Sequence, residues 1–113
     1  NFPNLFFQNP TGKLKTVYAD QWQYNNQYCL VGDAAHAVVP FFGQGMNASF
    51  EDCEVLMQCL NEAQGKWEGV CEKYSSTRKK DGHAIAKMAI ENYEEMVVET
   101  IEKGVRIYLD HSM

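Results

Sequence analysis

The stretch Gly32 to Asn47, GDAAHAVVPFFGQGMN, decides how this chain is read. It lies between a short apolar run, Tyr28 to Val31, and a long helical pattern, so it marks a strand end, a loop and a helix start. Gly32, Gly43 and Gly45 let the backbone turn sharply and approach a ligand closely. Asp33 places a hydrogen-bond acceptor at the carboxyl end of a strand, where open α/β sheets bind their ligands. Gly43-Gln44-Gly45-Met46-Asn47 puts unpaired backbone N–H groups at a helix start, an arrangement that stabilises a negative group. Pro40-Phe41-Phe42 is a rigid aromatic segment between these two, placed to be a pocket wall. Asp33 capping the next turn and a glycine-rich loop without a ligand are the plainer alternatives. Together the segments have the geometry of a cofactor site.

Working outward towards the N-terminus, Tyr28-Cys29-Leu30-Val31 is a continuous apolar run ended by Gly32, as expected for a strand buried on both faces. Gln21 to Gln27, where Trp22 and Tyr24 alternate with polar residues, fits a partly exposed strand or loop. Leu5 to Phe7 and Leu14 to Tyr18 flank the turn sequence Asn9-Pro10-Thr11-Gly12 and predict a hairpin.

Towards the C-terminus, Met46, Phe50, Cys53, Met57 and Leu60 recur at helical spacing and predict a helix with that stripe on the core. Glu51, Asp52 and Glu54 lie off the stripe, early in the helix, where the macrodipole favours acids. A second helix is predicted over about Trp67 to Lys80, with Trp67, Val70, Cys71 and Tyr74 on one side. Asp81 and Gly82 interrupt the pattern, Asp81 as N-cap of a third helix over about Ala84 to Lys103. That helix is apolar on two faces, which wedges it between a core and a pocket. Asn92 breaks one stripe between Met88 and Met96 and must find a partner, in a ligand or in neighbouring backbone. Glu95, one turn on, is equally open. Gly104 is expected to end the helix, and the sequence leaves residues 105–109 undecided between a strand and a further helical turn.

With 113 residues the chain suffices for one modest domain with a hydrophobic core. It begins at Asn1 without an initiator Met and opens in apolar, mid-domain sequence, which suggests a piece of a longer protein. A formal net charge of -5 argues against nucleic acid, since phosphate binding needs clustered Lys and Arg. The one basic run, Arg78 to Lys80, reads as a solvated helix face. The four cysteines form no CxxC pair and the three histidines are scattered, so no metal site is expected. The thiols read as reduced core residues of an intracellular protein. His36 has no nucleophile or acid at a diagnostic spacing and is expected to make a structural hydrogen bond. No apolar run reaches the roughly 18 residues of a membrane span.

These residues also carry a resemblance. GDAAH, then Pro, then GxGxN resembles the flavin-contacting motif of the class A flavoprotein monooxygenases, the aromatic hydroxylases built like p-hydroxybenzoate hydroxylase. The fuller wording PFFGQGMNAxFEDC is similar to the kynurenine 3-monooxygenase branch of that family. The turn Asn9 to Gly12 and GHAIAKMAIENYEEM, Gly82 to Met96, point the same way. Ser49 stands where the family pattern has Gly. The resemblance implies an α/β fold, a fragment of an FAD-binding, Rossmann-like domain with a short β-hairpin and a buried strand followed by three helices. Its segments would be 1–27 at the end of the substrate-domain and sheet hairpin region, 28–65 as the FAD-binding strand-loop-helix, and 66–113 as helices bordering the substrate pocket.

It further implies FAD as cofactor, NADPH as reductant and L-kynurenine as substrate, hydroxylated at C3. Gly32, Asp33, Pro40, Gly43, Gln44, Gly45, Met46 and Asn47 would contact FAD, with Asp33 on the ribityl chain. Pro40 and Phe41 would border the place where reduced flavin meets oxygen. Phe41, Asn92, Glu95 and Met96 would contact the substrate. The family's N-terminal GxGxxG and its carboxylate-binding Arg and Tyr do not occur here, so the remainder of a parent chain is an implied partner. Membrane association would come only through a C-terminal region outside this sequence, at the mitochondrial outer membrane in a eukaryote; a bacterial protein would be cytoplasmic. Another class A hydroxylase with a different aromatic substrate, or a non-catalytic relative, remains the alternative.

Overall fold

The computed structural model describes residues 1–112, with side chains placed for 1–105. Its elements in order are helix α1 (Phe2–Gln8), strands β1 (Gln23–Tyr24) and β2 (Tyr28–Cys29), helix α2 (Asp33–His36), a 3₁₀ turn (Pro40–Phe42), helix α3 (Gly45–Glu62) and helix α4 (Val70–Ser112).

The sheet is a two-stranded antiparallel ribbon pairing Gln23 with Cys29 and Tyr24 with Tyr28. Asn25 and Asn26 both take positive φ, 51° and 55°, which Asn tolerates and a tight hairpin turn requires. The Asn26 side chain also accepts the Glu72 N–H at 3.0 Å, so this turn caps the start of α4. β2 is shorter than the expected strand and is not buried on both faces: Tyr28 is largely exposed.

The expected hairpin over Leu5–Phe7 and Leu14–Tyr18 is absent. The first run is helical instead, with Pro3 in the first turn, where its missing N–H is harmless. The Phe2 and Phe6 rings meet one turn apart at 6.2 Å. The second run is irregular and held by one bond, Val17 N–H to the Ala37 carbonyl at 2.8 Å. Two short strands without a packed face are marginal, and no buried residue of α1 supplies one.

α3 forms where its spacing places it, but with the opposite face inward. Ala48, Asp52 and Cys59 are buried, while Met46 and Phe50 are 71% and 67% exposed. The two helices expected after it are one. Gly82 does not break α4; it is the notch into which Trp22 fits, since a Cβ there would stand 2.6 Å from the indole. Gly104 does not end α4 either, and residues 105–109 continue it. Tyr93, Val97 and Ile101, expected to be wedged between layers, are exposed. The core joins Trp22, Ala35, Cys59, Val70 and Tyr74. The Trp22 indole donates to the Ala19 carbonyl at 2.9 Å and the Tyr74 hydroxyl to the Leu30 carbonyl at 3.0 Å, so both rings are buried with their polar atoms paired.

Candidate functional site

Gly32 turns the chain out of the ribbon with φ 66° and ψ −142°, a conformation that only glycine adopts cheaply. Asp33 follows in the first turn of α2, exposed. Gly43, at φ 67°, closes the 3₁₀ turn by donating to the Pro40 carbonyl at 3.2 Å, and α3 begins two residues later. Asp33, Val38, Pro40, Gly43, Gly45, Met46, Ser49 and Phe50 line one groove of about 520 Å³.

No side chain caps α3. The first N–H groups of a helix have no partner within it, and its dipole favours an anion there. The nearby amide of Asn47 instead donates to Gln44 Oε1 at 3.0 Å. Gly32 and Gly45 leave only narrow clearances: a Cβ at Gly32 would sit 3.3 Å from Ser49 Oγ, and one at Gly45 would sit 3.4 Å from Val38 Cγ2. A carboxylate acceptor and an uncapped 18-residue helix thus face one apolar-sided groove.

α4 reaches this region at a second point. The Asn92 amide donates to the Phe41 carbonyl, and the Phe41 and Tyr93 rings stack with centroids 4.5 Å apart. The Met96 sulfur lies 3.8 Å from the same amide nitrogen. Phe41, Asn92 and Met96 are therefore brought together, and the partner that Asn92 needed is backbone. Glu95 is not with them; it lines a separate groove with Glu91, Glu94, Val98, Glu99 and Glu102.

Behind the groove lies a buried charge network. The Asp52 carboxylate accepts from the Gly32 N–H at 2.9 Å and from Arg78 Nε at 2.9 Å, and pairs with His36 Nε2. Arg78 is 1% exposed, not on a solvated face as its basic run suggested; it also meets Asp81 at 3.1 Å and the Ala48 carbonyl at 3.3 Å. Burial opposes its charge, but hydrogen bonding to Asp52 and the nearby acids outweigh burial and raise the Arg78 pKa above its ordinary value. His36 makes the structural hydrogen bond expected of it.

Residues 6–89 match the FAD binding domain family. The chain belongs to that family. Kynurenine 3-monooxygenase of Legionella pneumophila (strain Corby) is 48% identical over 97 residues, which is 83% of this chain and 22% of that protein. The Myxococcus xanthus enzyme of the same name is 53% identical over 91 residues, 80% of this chain and 19% of that protein. That of Dictyostelium discoideum is 42% identical over 103 residues, 80% and 22% respectively. The chain spans about a fifth of the length of these relatives. Family membership makes the small ribbon and its helices part of an FAD-binding domain.

Of the residues named from the sequence, Asp33, Pro40, Gly43, Gly45 and Met46 share the groove, Gly32 stands behind it, and Gln44 and Asn47 flank the start of α3. Sequence reasoning missed Asp52 and Arg78, which touch across 26 positions. Among the described residues no cluster of His, Cys, Asp or Glu could hold a metal, and no helix is long and apolar enough to cross a membrane.

Proposed function

We propose that this chain is the flavin-ring and substrate-wall portion of an FAD- and NADPH-dependent monooxygenase that hydroxylates L-kynurenine at C3. The observation that carries the reading is the groove joining Asp33 to the uncapped start of α3, in a chain 41–53% identical to kynurenine 3-monooxygenases. It would belong to a Rossmann-like domain of the p-hydroxybenzoate hydroxylase type, residues 28–65 supplying the strand-loop-helix and 66–113 the pocket helix.

FAD, when bound, supplies the redox and oxygen chemistry, and the protein supplies position and electrostatics. Its polyhydroxylated ribityl chain suits a carboxylate acceptor, the role given to Asp33. The backbone N–H groups of Gly45, Met46 and Asn47 stabilise negative charge on the pyrimidine side of the ring system. Gly32, Gly43 and Gln44 shape that approach. Pro40 and Phe41 wall the reacting face and exclude water. Asn92 holds the Phe41 carbonyl and, with Met96, borders the aromatic substrate; Glu95 would reach it only from another face of α4.

The test is product analysis of the full-length protein with NADPH. L-Kynurenine should stimulate NADPH oxidation and yield 3-hydroxykynurenine. NADPH oxidation indifferent to kynurenine, with no hydroxylated product, contradicts the proposal.

A further inference from the structure

We infer that Asp52 is a positioning residue for the flavin, acting through Gly32 and tying the flavin loop to α4. The inference rests on the FAD reading of the groove. Asp52 is fully buried on the inward face of α3, yet its carboxylate is directed at three different elements. Its Oδ2 receives the Gly32 N–H at 2.9 Å and meets His36 Nε2, so it grips both ends of α2. Its Oδ1 receives Arg78 Nε at 2.9 Å from α4. The guanidinium then reaches the Ala48 carbonyl at 3.3 Å, one turn before Asp52 on α3.

The consequence concerns the Val31–Gly32 peptide, whose N–H Asp52 holds at the entry to α2. Gly32 holds a backbone conformation with φ 66° and ψ −142°, and that ψ sets the direction in which the next residue leaves. Among the described residues the Gly32 N–H donates to one acceptor, Asp52 Oδ2. Removing the carboxylate frees the Val31–Gly32 peptide to rotate; the Gly32 carbonyl stays bonded to the Ala35 and His36 N–H groups, so rotation about the Gly32 φ swings α2, and Asp33 with it, relative to the first N–H groups of α3. Productive geometry in such sites is held within about half an ångström. Arg78 supplies a permanent counter-charge to the buried carboxylate.

Through Asp52, Arg78 is also one of two hydrogen-bonded ties, among the described residues, between α4 and the loop 32–47. The other is the Asn92 amide on the Phe41 carbonyl, fourteen positions along the same helix. The two ties fix α4 against both walls of the groove, so a shift of the helix that borders the substrate is transmitted to Gly32 as well as to Phe41.

The experiment is a fluorescence titration of FAD into the apo form of the full-length protein, comparing wild type, Asp33→Ala and Asp52→Asn, with melting followed on each. Asp52→Asn keeps the side chain's shape but loses its charge and one acceptor. The folded variant should bind FAD about tenfold more weakly and show an altered visible flavin spectrum when saturated. A lowered melting temperature with wild-type FAD affinity and spectrum would make Asp52 merely structural and overturn the inference. Should Asp52→Asn not fold, Arg78→Lys carries the test, since it keeps the charge but loses the guanidinium fork: weaker FAD binding supports the positioning role, and unchanged binding refutes it. Failure of the wild type itself to bind FAD would remove the FAD reading and this inference with it, whereas wild-type binding matched by Asp52→Asn removes the inference alone.

Discussion

Arg78 Nε donates to Asp52 Oδ1 at 2.9 Å in the interior of the chain, with both side chains essentially inaccessible to solvent. This is the kind of pair whose attraction offsets a large desolvation cost only while both partners remain. Arg78→Met should therefore destabilise the fold by about 3 to 5 kcal/mol, because it leaves Asp52 buried without its guanidinium partner. Lys73→Ala, which removes the exposed ion pair with Glu62, should leave the urea midpoint unchanged. Denaturation of both variants checks the contrast, and equal effects would refute it.

Gly82→Ala separates helix propensity from packing. In an exposed helix interior the change would stabilise by up to about 1 kcal/mol. Here the new methyl would meet Trp22 at 2.6 and 2.9 Å and His36 Cβ at 3.3 Å. The rings belong to the core, and overpacking of this sort costs about 1 to 3 kcal/mol. A rise in the denaturation midpoint would contradict the notch.

The reach of the sequence is clear from these two positions. Gly82 read as a helix break because local propensity says so, and only the distant Trp22 explains why a helix keeps a glycine there. Asp52 read as a surface acid for the same reason: the stripe Met46, Phe50, Cys53, Met57 is equally periodic, and spacing fixes a stripe without saying which one meets the core. The partner that makes burial of Asp52 tolerable is 26 residues away and lay in a run read as a solvated face. By contrast the turns at Gly32 and Gly43 were legible because both glycines take a positive φ, and the turn at Pro40 because its ring fixes its own φ. The Asn25-Asn26 turn carries a local signal too, since Asn tolerates the positive φ that both residues adopt. Asn9 to Gly12 forms no turn: Asn9 caps α1 in an extended conformation, residues 10–12 are irregular, and nothing among the described residues gives the flanking runs a face to pack on.

Alkaline pH should expose the thiol chemistry of the core. Burial, then the neighbouring Cys71, push the Cys29 thiol from 9.0 up to about 11. A group whose pKa is raised on folding contributes stability that is complete below its unfolded pKa. As pH climbs from about 9 towards 11 the unfolded state loses the proton first, and stability falls. Cys29→Ala should flatten that decline between about pH 8 and about pH 11 in melting experiments. An identical decline in the variant would assign the loss elsewhere. At about pH 8, well below that raised value, exposed Cys53 should be alkylated before Cys29.

Asn92→Ala tests the tie between α4 and the 3₁₀ turn. It removes a partly buried donor from the Phe41 carbonyl and should cost about 1 kcal/mol in stability. In the full-length protein it should weaken the response to kynurenine more than FAD retention, because Asp33 and the start of α3 are untouched. Equal losses of both would contradict the division of the site.

The most direct measurement is the flavin content of the full-length protein and its Asp33→Ala variant after gel filtration. If the groove between Asp33 and the start of α3 is the flavin-ring site, the wild type elutes with FAD bound and Asp33→Ala elutes depleted of it while remaining folded. Wild-type flavin content in a folded Asp33→Ala protein would contradict that assignment.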